Sequence, residues 1–238
     1  MRRLFLADIH ATLPALDAVL ERAGSVDAIY CLGDIVGYGP HPGACIDRLI
    51  DLDAHCLLGN HDREVLEPPP AIEAPLDGHQ IWLRWTYAQL SPSQRRFLAS
   101  CPQSLRIELG GRAATLIHGD QSRHRLHPNM PDRMIAAGLG EVAGEIILFG
   151  HFHCRFERTI GGRRYVGLKA VGQARQRDPW AGYAIEQDGH LAHYVAYYDH
   201  DDVARDLDAI GLPTAFRERW ERYLRSGFDS EWSHPWPV

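Results

Sequence analysis

Leu4-Phe5-Leu6-Ala7-Asp8-Ile9-His10 sets the reading of this chain. An apolar run of strand length delivers a carboxylate and, two positions later, an imidazole, just before a helical pattern opens at Leu13. Alone, the D-x-H triplet carries little, because Asp8 could cap the next helix and His10 could be a solvated loop residue. Four further apolar runs end in the same way. Ala28-Ile29-Tyr30-Cys31-Leu32 leads to Gly33-Asp34, Cys56-Leu57-Leu58 to Gly59-Asn60-His61-Asp62, Thr115-Leu116-Ile117 to His118-Gly119, and Ile146-Ile147-Leu148-Phe149 to Gly150-His151-Phe152-His153. Carboxylates, imidazoles and an amide at the ends of buried strands point to a metal.

In sheets built from strand-helix units, the loops at the carboxyl edge converge on one crevice, so these side chains are expected to meet. Gly33, Gly59 and Gly150 each precede a candidate site residue, where a residue without Cβ allows a sharp turn.

Composition bounds the alternatives. A chain of 238 residues with 45% hydrophobic residues can bury a sizeable core. Its net charge of -6 and scattered arginines argue against a long nucleic-acid backbone as partner, since that affinity comes from clustered cations. The apolar run after Met1-Arg2-Arg3 is far too short for a signal sequence or membrane span. The five cysteines, Cys31, Cys45, Cys56, Cys101 and Cys154, are odd in number and lack C-x-x-C spacing, so reduced thiols in a cytoplasmic protein with no membrane association are expected. Cys154, despite following His153, reads as a buried structural thiol.

Along the chain, Leu13, Leu16, Leu20 and Ala23 share a helical face, with Thr12 as N-cap and Gly24 as stop. The Gly- and Pro-dense stretch 35–42, which contains Tyr38 and His41, leads to a helix around 44–50. Residues 63–102 read as a helical insertion over the site mouth: a face of Ile81, Trp85 and Ala88, then a capping box at Ser91-Pro92-Ser93-Gln94. His124 and His127 lie in a loop, 119–131, with substrate-facing composition. Runs 155–160 and 163–171 around Gly161-Gly162, and 183–186 and 191–198 around Asp188-Gly189, predict two hairpins forming a second, mostly antiparallel sheet. Val203, Leu207 and Ile210, then Phe216, Trp220 and Leu224, mark a helical tail.

In this order the blocks D-x-H, G-D-x-x-G, G-N-H-D, H-G and G-H-x-H resemble the calcineurin-like metallophosphoesterase superfamily, most closely its small bacterial phosphodiesterase-like branch. The likeness extends through Leu13-Pro14-Ala15-Leu16, 33–40 and 171–179, so it covers nearly the whole chain. It implies an α+β fold, a four-layer αββα sandwich of two mixed sheets flanked by helices, of the metallo-dependent phosphatase type. This would be one domain over 1–238, with the helical insertion at about 63–102 and a helical tail at about 200–238. It further implies that Asp8, His10 and His153 hold one divalent ion, that Asn60, His118 and His151 hold a second, and that Asp34 bridges them. A shared carboxylate lets two cations sit about 3.5 to 4 Å apart and clamp attacking and leaving oxygens. The mixed nitrogen and oxygen donors suit transition metals, Mn²⁺ foremost, then Fe, Zn²⁺ or Ni²⁺.

By the same resemblance the nucleophile is a hydroxide bridging the metals, His61 protonates the leaving oxygen and Asp62 orients its ring. Tyr38 and Arg175 are expected near a small or nucleotide-like phosphoester, cleaved by a phosphodiesterase or phosphatase. Departures are Ala7 where Ser is common, Phe152 where Thr is usual, and a loop at 167–175 lacking the family's Asn and Ser. The alternative is a non-catalytic scaffold or regulatory protein on the same fold. Such proteins typically lose the histidine of the G-N-H block, present here as His61. An exonuclease would want a basic channel that the composition does not advertise.

Overall fold

The computed structural model describes residues 1–67, 77–119, 129–140, 142–175 and 177–228. Two five-stranded mixed sheets pack face to face with helices on their outer sides. In the first sheet, β1 (Arg2–Leu6), β2 (Ala28–Cys31) and β3 (His55–Cys56) run parallel, linked by α1 (Leu13–Ala23) and α2 (Pro42–Asp51). Next come α3 (Asn60–Leu66), which starts before the expected insertion, and α4 (Gly78–Gln89) and α5 (Pro92–Ser100), which lie within it. The chain then enters the second sheet: β4 (Ser104–Leu109), β5 (Arg112–Ile117), α6 (Asp132–Gly138), β6 (Ile146–Phe149), β7 (Phe156–Ile160) and β8 (Arg163–Gly167). Here β5, β6 and β8 are parallel, while β4 and β7 close the edges antiparallel. β9 (Ala181–Gln187) and β10 (His190–Ala196) return to the first sheet, β9 pairing antiparallel with β1. α7 (His200–Asp206), a 3₁₀ turn (Leu207–Ile210) and α8 (Thr214–Ser226) form the described part of the tail.

The apolar runs at Leu4–Leu6 and along β6 are uninterrupted because those residues are buried on both faces. From β1, Leu4 and Leu6 pack under α1 and α2, whereas Phe5 joins the core between the sheets. From β6, Ile146 and Leu148 face that inter-sheet core, and Ile147 and Phe149 face α6 with Phe152 and Phe156. The third apolar run of the sequence, Cys56-Leu57-Leu58, is shorter than expected as a strand, since β3 stops at Cys56.

The expectation that both hairpins build one second sheet is corrected. The β7–β8 hairpin extends the sheet of β5 and β6, and the β9–β10 hairpin extends the sheet of β1, so both sheets are mixed. Thr12 sits at the α1 N-cap position without capping: its hydroxyl donates to the His10 carbonyl, 3.1 Å away. The fully buried residues of α4 are Gly78, Trp82 and Thr86; of the expected face, Ile81 and Trp85 pack half-buried against the cluster of Trp82 and Trp220, and Ala88 is exposed. The Ser91 and Gln94 capping box forms as read. All five cysteines are free and buried, and among the described residues no helix is long and apolar enough to cross a membrane. His124 and His127, and the tail beyond 228, lie outside the described residues.

Candidate metal centre

The parallel strands of both sheets point their carboxyl ends at one place, where the chain turns abruptly. Asp8 (φ 55°), His10 (48°), Asp34 (52°), His151 (63°) and His153 (59°) all occupy the left-handed region, which disfavours residues with a Cβ. Each such residue costs roughly 1–3 kcal/mol and persists only where the surroundings over-determine it. Here cross-loop hydrogen bonds do so: Asp8 N to Gly33 O and His10 N to Asp34 O, both 3.0 Å, and Gly150 N to His118 O, 2.7 Å. The Asp8 carboxylate also accepts from His151 N at 3.0 Å. Of the three signal glycines only Gly33 has positive φ; Gly59 is needed for space, since a Cβ there would lie 2.1 Å from Asp34 Oδ1.

Two clusters result, with Asp34 in both. Asp8, His10, Asp34 and His153 bring their donor atoms within 4.8 Å of one another, and so do Asp34, His118 and His151. In the first, His10 Nε2 lies 3.2 Å from His153 Nε2 and 3.8 Å from Asp34 Oδ2. In the second, Asn60 Oδ1 is 3.1 Å from His118 Nε2 and 2.9 Å from His151 Nδ1, and His118 Nε2 is 3.3 Å from Asp34 Oδ2. Tautomers are set from behind. His118 Nδ1 donates to the Leu32 carbonyl and His153 Nδ1 to the Gln173 carbonyl, both at 2.8 Å, so each turns Nε2 inward.

The electrostatics suit a cation. Burial pushes His10 down to about 3 and His151 to about 4, and holds His153 well below its usual range, so three imidazoles present lone pairs. Burial, with Asp34 adding, raises Asp8 to about 7. Burial would also raise Asp34, but the imidazoles of His118 and His61 outweigh it and keep that carboxyl well below the usual carboxylate range. His118 is the converse: burial lowers it, yet Asp34 and Asp8 lift it to about 10. Asp34 Oδ2 is buried without a hydrogen-bond donor among the described residues, as a carboxylate oxygen aimed at a cation would be. The donor set therefore fits two divalent ions.

Asp62 stands elsewhere than expected. Fully buried, it accepts from Val36 N and Gly59 N, each at 3.0 Å, and both oxygens are thereby committed to the loops before α2 and α3. Among the described residues it makes no hydrogen bond or ion pair with the His61 ring. That ring lies 5.2 Å from His10, its backbone N donates to Asp34 Oδ1 at 2.8 Å, and its Nδ1 is 3.4 Å from Glu64 Oε2. Glu64 escaped the sequence reading because only its i,i+3 spacing from His61 signals it. Tyr38 is part of an aromatic wall, 4.7 Å from His61, 5.3 Å from His10 and stacked on Trp220 at 5.4 Å. Arg175 is half-buried and makes no hydrogen bond or ion pair among the described residues, and its charge adds to burial in depressing His10, His151 and His153. The tail also reaches the site, where Tyr223 Oη donates to Gln173 O at 3.3 Å, the carbonyl that fixes His153.

This sandwich with its shared aspartate defines the class, and the sequence match agrees. Residues 1–187 match the Calcineurin-like phosphoesterase superfamily domain, and the chain belongs to that superfamily. It is 31% identical over 235 residues to an uncharacterized protein of Methanocaldococcus jannaschii, covering 90% of this chain and 95% of the relative. A metallophosphoesterase from Sphaerobacter thermophilus superposes with TM-score 0.76 at 28% identity, covering 96% of this chain and all of the other. A Pyrococcus horikoshii protein shares the fold at TM-score 0.80 and 21% identity, over 96% and 99% of the two chains.

Proposed function

We propose that this chain is a two-metal phosphoester hydrolase acting on small or nucleotide-like phosphates. The observation that carries the reading is Asp34, whose buried carboxylate belongs to both donor clusters. Asp8, His10, His153 and Asp34 would hold one ion; Asp34, Asn60, His118 and His151 would hold the other, with Mn²⁺ the proposed metal. When bound, such a pair supplies Lewis acidity toward phosphoryl oxygens and an acidified nucleophile near neutral pH. The chain supplies the rest. Three imidazoles kept neutral by burial and a single bridging carboxylate limit the negative charge around the ions. His61, lifted above its usual pKa because Asp34 and Glu64 outweigh the effect of burial, is a proton donor to the leaving oxygen. Arg175 is the cation facing the phosphate. The net charge of -6 favours a small substrate over a polyanion, and the five free thiols favour a reducing, cytoplasmic setting.

The test is a panel of aryl and alkyl phosphomonoesters and diesters with Mn²⁺, Fe²⁺, Zn²⁺ and Ni²⁺. Turnover that is abolished by EDTA and by Asp34→Asn supports the reading. No turnover with any metal and ester rejects hydrolysis and leaves the scaffold alternative.

A further inference from the structure

We infer that Glu64 is the positioning residue for His61, and that His79 on α4 holds Glu64 from the other side. The inference rests on the hydrolytic reading for its catalytic consequence, while the geometry itself does not. Asp62, the nearest carboxylate in sequence, is spent on two backbone N–H groups, so His61 must find its partner elsewhere. Glu64 lies one turn on along α3, on the same face, with Oε2 3.4 Å from His61 Nδ1. The same oxygen is 3.4 Å from His79 Nε2, so two imidazoles converge on one carboxylate and tie α3 to α4.

On the loop that approaches His61, Gly37 at φ +98° lies so close that a Cβ would stand 3.1 Å from His61 Cβ and 3.5 Å from Nδ1. That position leaves the ring free to face Glu64. His61, Glu64, His79, Tyr38 and Trp82 enclose only about 10 Å³, room for one water at most, so little solvent separates imidazole from carboxylate. With Nδ1 turned to Glu64 at 3.4 Å, Nε2 is the nitrogen that serves the substrate. There the leaving oxygen takes the Nε2 proton, the Nδ1 proton stays on the ring facing the Glu64 carboxylate, and the neutral ring is reprotonated by water at Nε2. Glu64 and His79 keep nearly half their side-chain surface in solvent, so the pair adds little to fold stability and its value is orientation.

The experiment compares wild type with Glu64→Gln, Glu64→Asp and His79→Gln on two esters, one with an alkyl leaving group and one with nitrophenolate, which leaves without a proton. Glu64→Gln is expected to lower kcat about 10- to 100-fold on the alkyl ester, with KM and nitrophenyl turnover within about twofold. Glu64→Asp should recover part of the loss, and His79→Gln should lose about two- to fivefold. An equal fall on both esters, or none on either, overturns the assignment. ¹⁵N-histidine spectra give a second readout that needs no turnover. In wild type the His61 Nδ1 proton should be seen, and Glu64→Gln should shift or broaden it; an unchanged His61 signal overturns the inference. If wild type cleaves neither ester but the spectra shift as expected, the hydrolytic reading fails and the positioning contact stands.

Discussion

Replacing Asp62 by alanine separates two roles that a carboxylate beside a candidate acid could play. The structure gives it the role of a buried acceptor, with Val36 N and Gly59 N each 3.0 Å from its oxygens and no solvent exposure. Removing it orphans two buried N–H groups, at about 1–3 kcal/mol each, for a gross loss of about 2–6 kcal/mol. Two effects offset part of this. Burial, with Asp34 behind it, already raises the Asp62 carboxyl to about 6, so deleting the charge relieves some desolvation, and the space vacated admits a water. The net expectation is a loss of about 2–4 kcal/mol, read from urea unfolding followed by tryptophan fluorescence at pH 7 in EDTA. Asp62→Asn keeps one acceptor but sets an amide N–H₂ against a backbone donor, and should recover about half. His61→Ala should move the midpoint much less. If Asp62→Ala leaves the urea midpoint within about 0.5 kcal/mol of wild type and instead copies the kinetic defect of His61→Ala, then Asp62 orients His61 and the reasoning here is wrong.

Gly59→Ala places a Cβ 2.1 Å from Asp34 Oδ1 and 2.2 Å from Asp34 N, so α3 must shift; stability should drop by about 1–3 kcal/mol and bound metal should fall on elemental analysis. Tyr223→Phe removes one donor to Gln173 O while His153 keeps its own, so a loss of about 0.5–1.5 kcal/mol and a small Tm decrease should appear in calorimetry with the metals retained. His193 on β10 is lowered to about 4 by burial, with Arg155 adding. Its folded pKa lies below the unfolded 6.5, so the unfolded chain binds the proton first and stability is lost as pH falls from 6.5 toward 4. The difference, 6.5 − 4 = 2.5 units, sets an upper bound near 3.4 kcal/mol; partial solvent contact reduces this to about 1–3 kcal/mol. Urea titrations of wild type and His193→Gln across that range should diverge by this amount, and parallel curves would refute the assignment.

The elements around the centre were legible because each couples a local pattern to a buried environment. The run ending at His151 and residues 4–7 before Asp8 are apolar throughout since they are covered on both faces, the run to Asp34 keeps its apolar character with one face half-covered, and α1 carries an apolar face bounded by Gly24. Sheet membership was not legible. Nothing local distinguishes the β7–β8 hairpin from the β9–β10 hairpin, and partner choice is settled by which edge strand is vacant, a non-local matter. β4 was passed over although Leu105, Ile107 and Leu109 alternate with polar residues before Gly110-Gly111, a pattern that a period-two count would have found. At the centre, the pairing of Asp62 with His61 came from the family resemblance. On a helix, however, neighbours in sequence point apart and residues three apart share a face, as His61 and Glu64 do at 3.4 Å. The tail's contribution through Tyr223 and Gln173 spans 50 positions and left no local trace.

Anomalous diffraction from crystals grown with Mn²⁺ tests the central claim most directly. Two peaks should appear about 3.5–4 Å apart, on either side of Asp34, one against Asp8, His10 and His153 and the other against Asn60, His118 and His151. A single peak away from Asp34, or none at saturating Mn²⁺ while the side chains keep their positions, would contradict it.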